Sequence, residues 1–127
     1  MAENTLVRSA LTWFEIPTVD FDRARRFYET ILDRTIPEHE FNGSRIAVFE
    51  YGDGGVGGCL DAGSESRPSP AGVVVYLDVD GRFDAALEAV ERAGGSVVVG
   101  KTTLPGIGHV AQIVDSEGNR IGLHAKS

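Results

Sequence analysis

Few side chains in this 127-residue sequence can do chemistry unaided: one cysteine, Cys59, one tryptophan, Trp13, and three histidines, His39, His109 and His124. Cys59 has no partner for an internal disulfide. It also has no His or Lys beside it in sequence to lower its pKa, so it reads as an inert buried thiol. His39 sits between Glu38 and Glu40, and His109 at a loop–strand junction, so both read as solvated. His124 falls in the last apolar run. Gly52 to Gly58 holds five glycines in seven positions. It lacks the Gly-Lys-Ser/Thr ending that opens a helix in a phosphate loop, and reads as a hairpin that leaves room for a ligand. A Ser-His-Asp relay is a matter of geometry that spacing alone does not supply.

These residues have to be held by the elements around them. Leu11 to Pro17 reads as a strand, rich in β-formers and stopped by proline. Asp20 offers a helix N-cap, and Ala24, Phe27, Tyr28, Ile31 and Leu32 follow at helical spacing. A short polar strand around Thr35 to Glu40, a turn at Asn42-Gly43, a strand over Arg45 to Tyr51 and another over Val56 to Asp61 complete the first unit. After a linker over 63–71 the pattern restarts. Gly72 to Val79 is a strand, and Asp80 is expected to cap a helix with the stripe Phe83, Ala86, Leu87 and Val90. Gly94-Gly95 should end that helix. Ser96 to Gly100 is a strand, 102–108 a loop, and Gly108 to Asp115 and Asn119 to Ala125 a closing hairpin. Gly118 supplies its tight turn, with Asp115 and Asn119 beside it. Gly55-Val56-Gly57-Gly58-Cys59-Leu60-Asp61-Ala62 aligns weakly with Gly118 to Ala125. Strand-helix-three-strands therefore occurs twice, near 11–62 and 72–125.

Length and composition bound the function. A chain of this size buries roughly two-thirds of its unfolded surface, enough for one domain. The hydrophobic content of 42% argues against disorder. A net charge of −7 disfavours nucleic acid and anionic membranes as partners. No apolar run approaches membrane-spanning length. The first residues, Met1-Ala2-Glu3-Asn4, do not read as a signal peptide, so a cytoplasmic location is expected.

The doubled pattern resembles the vicinal oxygen chelate superfamily, which includes glyoxalase I, extradiol dioxygenases and bleomycin and fosfomycin resistance proteins. The resemblance rests on Glu15-Ile16-Pro17 with Asp20, Arg23-Ala24 and Phe27-Tyr28. It rests further on Tyr76-Leu77-Asp78-Val79-Asp80, on Gly94-Gly95, and on Asp115-x-Glu-Gly-Asn-x-Ile-Gly-Leu123. It covers about Leu11 to His124 and is most similar to small glyoxalase-related proteins. It implies an α+β fold of two βαβββ modules forming a cup-shaped mixed sheet, helices outside and ligand inside, in a homodimer.

Catalytic relatives hold a divalent metal through four strand residues. Carried over, those positions are Trp13, Cys59, Val74 and Gly122, of which only Cys59 can donate a lone pair. The resemblance therefore implies no metal and no cofactor. Two residues along each strand the side chain points the same way. That step gives Glu15, Asp61, Tyr76 and His124 as pocket walls, with Arg120 or Tyr76 expected to satisfy Glu15. Trp13, Glu15, Tyr76 and His124 are expected on one concave surface, with Phe14, Ile16, Val75 and Leu77 turned to the helices. The candidate ligand-binding set is thus Trp13, Glu15, Cys59, Asp61, Tyr76, Arg120 and His124. Three functions remain open. One is a metal-free small-molecule binder, for which acidic walls favour a neutral or cationic ligand. Another is a lyase, isomerase or dioxygenase with displaced ligands, or an acid–base catalyst using Glu15 and His124. The third is a non-catalytic partner protein.

Overall fold

The computed structural model describes residues 9–63, 65 and 67–127. The elements run β1 (Trp13–Pro17), α1 (Phe21–Leu32), β2 (Glu38–Phe41), β3 (Ser44–Phe49), β4 (Gly57–Asp61), β5 (Val75–Asp78), α2 (Phe83–Arg92), β6 (Ser96–Leu104), β7 (Gly108–Val114) and β8 (Arg120–Ala125). They form two four-stranded sheets, β1-β4-β3-β2 and β5-β8-β7-β6. In each, the first strand runs parallel to the last and the other neighbours are antiparallel. Ile16 pairs with Leu60 as Leu77 pairs with Leu123, so the internal repeat holds along the parallel strand pair of each module.

Strand alternation sorts the side chains. Ile16, Leu60, Leu77 and Leu123 are buried against the helices, with Phe14 and Val75 packed beside them. The α1 stripe Ala24, Phe27, Tyr28, Ile31 and Leu32 is fully committed to the same core, as are Phe83, Ala86 and Val90 of α2. Each large apolar side chain so buried contributes about 1.5–3 kcal/mol. The two helices pack on each other, while the opposite faces of both sheets are left for a site.

The turns follow their residue types. Asn42 and Gly43 both take positive φ, 53° and 80°. Asn-Gly at the centre of a two-residue hairpin is the type I′ signature. Past α2, the Gly94 N–H donates to the Glu91 carbonyl and the Gly95 N–H to that of Val90, with Gly94 at φ 107°. These two bonds close the helix as the glycine pair implied. Asp20 caps α1 as expected, its side chain accepting from the Arg23 N–H at 3.0 Å.

Asp80 does not cap α2. That helix begins three residues later, at Phe83, behind Arg82, which makes no side-chain cap bond. Gly81 bends the backbone between them (φ 82°), and the Asp80 carboxylate instead accepts the Lys126 N–H. Strand β6 also runs further than expected, to Leu104, carried past Gly100 by register shifts between Val97 and Thr102.

One contact ties the modules together and is invisible in local sequence. The turn between β7 and β8 reaches across to α1. Glu117 accepts the N–H groups of Val19 (2.8 Å) and Asp20 (2.6 Å) and the Arg23 Nε–H (2.7 Å). A carboxylate at a helix N-terminus satisfies donors with no partner inside the helix and complements the dipole. Beside it, buried Asp115 accepts from the N–H groups of Glu117 and Asn119, from Asn119 Nδ2 and from the Tyr28 hydroxyl. Burial alone would raise the Glu117 pKa, but Arg23, those backbone donors and Ser116 hold it below the usual carboxylate value.

Candidate functional site

On the non-helical face of the first sheet, Glu15 pairs with Cys59, and Cys59 with Val48, while Asp61 pairs with Ile46. Trp13, Glu15, Cys59 and Asp61 therefore share one face. They line a cavity of about 450 Å³. The β2–β3 hairpin supplies the rest of its wall through Phe41, Asn42, Ser44 and Ile46. A volume near 450 Å³ lies in the range of small-molecule sites. Cys59 is buried at 2% exposure. Its thiol pKa is pushed up to about 11, by burial first and then by the Glu15 and Asp61 carboxylates. It is therefore protonated and a poor nucleophile at neutral pH. Asp61 Oδ1 accepts the Gly63 N–H at 2.7 Å, which fixes the turn leaving β4.

The second sheet presents a different surface. The Tyr76 ring lies on Gly122, where a Cβ would collide with it. Gln112 Nε2 donates to the Tyr76 hydroxyl at 2.7 Å, and Arg120 Nη1 holds Gln112 Oε1 at 3.0 Å. His124 Nε2 bonds the Ile107 carbonyl at 2.7 Å. Tyr76 borders a cavity of about 680 Å³ at the seam between β1 and β5, bounded by Phe14, Tyr51 and Val75. Arg120 and Glu15 flank a smaller one of about 160 Å³, with Arg67.

The seven candidate residues thus divide. Trp13, Glu15, Cys59 and Asp61 come together. Tyr76 lines the cavity at the β1–β5 seam, Arg120 shares the smaller cavity with Glu15, and His124 lines none of the four described. The alternation expected for the strands places them on non-core faces. The single surface expected for Trp13, Glu15, Tyr76 and His124 is not one cavity, because Tyr76 collapses onto Gly122 and the His124 ring turns to Ile107. Neither Arg120 nor Tyr76 satisfies Glu15. Arg120 donates to Gln112 and the Pro70 carbonyl, and Tyr76 is bonded to Gln112. Acid–base work shared by Glu15 and His124 has no support in this geometry. His39 is exposed, whereas His109 is half-buried against Phe83 and bonded to Thr103.

Phe41, Asn42 and Ser44 join the cavity wall, and Gln112 holds Tyr76, beyond the site residues the sequence singles out. Asn42-Gly43 did mark the hairpin. What could have been extracted is its reach over the first sheet, since Phe41 pairs with Ser44 two positions from Ile46.

The family model for the glyoxalase/bleomycin resistance protein/dioxygenase superfamily matches residues 10–123. The chain belongs to that superfamily. CFP32 of Mycobacterium tuberculosis, provisionally named a glyoxylase, is 32% identical over 109 residues, 85% of this chain and 41% of its own length. The protein of the same name in Mycobacterium bovis matches equally. The chain thus spans about two-fifths of the curated relatives' length. A glyoxalase/bleomycin resistance protein from Albidiferax ferrireducens shares the fold at TM-score 0.68 and 15% identity, over 94% of this chain and all of that one. The fosfomycin resistance protein FosX of Listeria monocytogenes does so at TM-score 0.66 and 16% identity, over 96% and 94% of the two chains. The superfamily includes ligand-binding and enzymatic members, so membership alone does not select a reaction.

The positions where the resemblance implies metal ligands, Trp13, Cys59, Val74 and Gly122, offer one donor side chain between them, that of Cys59. Trp13, Val74 and Gly122 have no donor atom for a metal, and the Tyr76 ring fills the space above Gly122. Among the described residues, no three His, Cys, Asp or Glu side chains converge as metal ligands. Among the same residues no helix is long and apolar enough to cross a membrane.

Proposed function

We propose that this protein binds a small organic molecule in the first module, in the cavity walled by Trp13, Glu15, Cys59 and Asp61, and does so without a metal. The observation that carries the reading is a ligand-sized cavity on β1 and β4, while at the equivalent rung of the second module the Tyr76 ring lies over Gly122. Trp13 remains 40% exposed, at 6.5 Å from the Tyr51 ring in a T-shaped pair, and borders the cavity. The protonated Cys59 thiol supports a binding floor rather than a nucleophile.

Trp13 is the only tryptophan, so its emission reports occupancy of this cavity. A compound library read by thermal shift and by Trp13 emission should yield ligands that change both. Trp13→Ala should weaken such ligands by about 1–3 kcal/mol. Ligands that leave emission unchanged and bind Trp13→Ala equally well would remove the site from this cavity. Elemental analysis of purified protein should find no stoichiometric zinc, nickel, manganese or iron. About one metal per chain would overturn the metal-free part.

The same reading takes the protein to be a cytoplasmic homodimer. Exposed Val97, Val98, Val99, Leu104 and Ile107 along and beyond β6 support self-association, since long apolar sheet edges are seldom left open. Sedimentation at micromolar concentration should give a dimer; a monomer throughout would count against it.

A further inference from the structure

If Trp13, Glu15, Cys59 and Asp61 enclose the ligand, as proposed above, its charge follows from their chemistry. The cavity is lined by two carboxylates and by no Lys, Arg or His. Among the described residues, neither Glu15 nor Asp61 enters an ion pair. Asp61 spends one oxygen on the Gly63 N–H within its own turn. The basic groups nearest Glu15, Arg67 and Arg120, border it in a separate cavity, and Arg120 is engaged with Pro70 and Gln112. The negative potential reaches the cavity floor, because both carboxylates help push up the Cys59 thiol after burial has done so. Two of the other wall residues are aromatic, beside Asn42, Ser44 and Ile46. Trp13 and Phe41 are 40% and 63% exposed, and the faces of such rings attract cations. Glu15 is exposed and Asp61 half-buried, so both carboxylates stay open to a cation arriving from solvent.

We propose that the ligand of this cavity is an organic cation, an amidinium, guanidinium or amine on a planar or apolar body. Glu15 and Asp61 hold the charged end, and the body lies against Trp13. A bare metal ion is the wrong occupant, since the two carboxylates and the thiol do not converge as ligands. An anion is disfavoured by the two carboxylates. The cavity volume of about 450 Å³ suits a molecule with one charged end rather than a compact ammonium ion.

Three water-soluble probes of nearly equal size test the charge separately from the place: benzamidine, a cation at pH 7, neutral benzamide, and anionic benzoate. Affinities are read by NMR titration, following the Trp13 indole N–H. Benzamidine should bind at least about tenfold more tightly than benzamide, and benzoate more weakly still. Glu15→Gln and Asp61→Asn should each erode that preference by several-fold while leaving benzamide unchanged. Glu88→Gln, an equal loss of charge on the exposed face of α2, should leave the preference intact, which separates the cavity from the net charge of −7. If benzamide matches benzamidine while both shift the Trp13 indole, the cation assignment fails and the cavity stands. If none of the three shifts it at millimolar concentration while other resonances respond, the cavity reading fails with it. Circular dichroism of each variant confirms that it is folded before its affinities are compared.

Discussion

The two modules are laid on the same ladder, Glu15 facing Cys59 in one and Tyr76 facing Gly122 in the other, yet their free faces differ. In the first, short and mid-sized side chains at 15, 59 and 61 leave a cavity that the β2–β3 hairpin walls in. In the second, a glycine at 122 lets a tyrosine lie down on the strand, and Gln112 and Arg120 fasten it there. At the same rung, Glu15 with Cys59 borders the cavity of the first sheet, whereas in the second the exposed Tyr76 ring lies over Gly122. Duplicated topology fixes where side chains can point; the residues at each rung decide what that face presents. The helices differ in the same manner. The start of α1 is capped by its own Asp20 and by Glu117 from the other module, while α2 begins at Phe83 behind Arg82, without a side-chain cap.

The most disruptive way to break this asymmetry is at the clasp between the modules. Asp115→Ala strands the Tyr28 hydroxyl and three N–H donors in the interior. It should lower unfolding free energy by about 3–5 kcal/mol in urea titration. A loss under 1 kcal/mol would mean that those donors find water and that the clasp is ornamental.

Glu117→Gln comes next, at about 1–3 kcal/mol, because the amide still accepts hydrogen bonds but no longer answers Arg23 or the helix dipole. It also carries a pH signature. The folded Glu117 pKa lies below its unfolded value, so its contribution is complete above the unfolded pKa and is lost as pH falls through the folded one. Wild-type stability should therefore drop more steeply on acidification below about pH 5 than that of Glu117→Gln. Parallel curves would show that the charge is not used.

Gly122→Ala sharpens the comparison by prying open the second face. The new Cβ occupies the ring's place, so Tyr76 must swing out, which its exposed position allows for about 1 kcal/mol. The Gln112 side-chain amide should then lose its tyrosine partner and shift in NMR spectra. Smallest is Gln112→Leu, which frees the Tyr76 hydroxyl to reach water and should cost about 0.5–1 kcal/mol. It should leave ligand affinity in the first module untouched, whereas a loss of affinity there would join the two faces into one site.

Much of this was legible in the sequence, for identifiable reasons. Ala24, Phe27, Tyr28, Ile31 and Leu32 announce the buried side of α1 because helical period and burial coincide. Strand period turned Phe14 and Ile16 toward the core and Trp13 and Glu15 away from it. Gly94-Gly95 gave the helix stop because its backbone geometry is local. Asp80 misled because an acid before a helical stripe looks like a cap whether or not a glycine follows it. Glu117 could not be recognised as a cap for α1, since the donors it serves lie almost a hundred residues upstream, with the Val19 N–H at a separation of 98. His124 shares its strand parity with the pocket set, but a ring can rotate to a carbonyl such as that of Ile107, and parity does not fix rotation. Phe41 and Ser44 joined the site through a hairpin overhang whose length shows only once the ladder is drawn.

The central claim is that the first module alone holds the ligand, and a chemical-shift map of the isotopically labelled protein tests it most directly. On titration with a ligand confirmed by thermal shift, the largest changes should fall on the Trp13 indole and on the backbone amides of Glu15, Ser44, Cys59 and Asp61. Those of Tyr76, Gln112, Gly122 and His124 should stay near their starting positions. Changes concentrated on Tyr76, Gly122 and His124, with Trp13 and Cys59 still, would contradict the account and move the site to the other sheet.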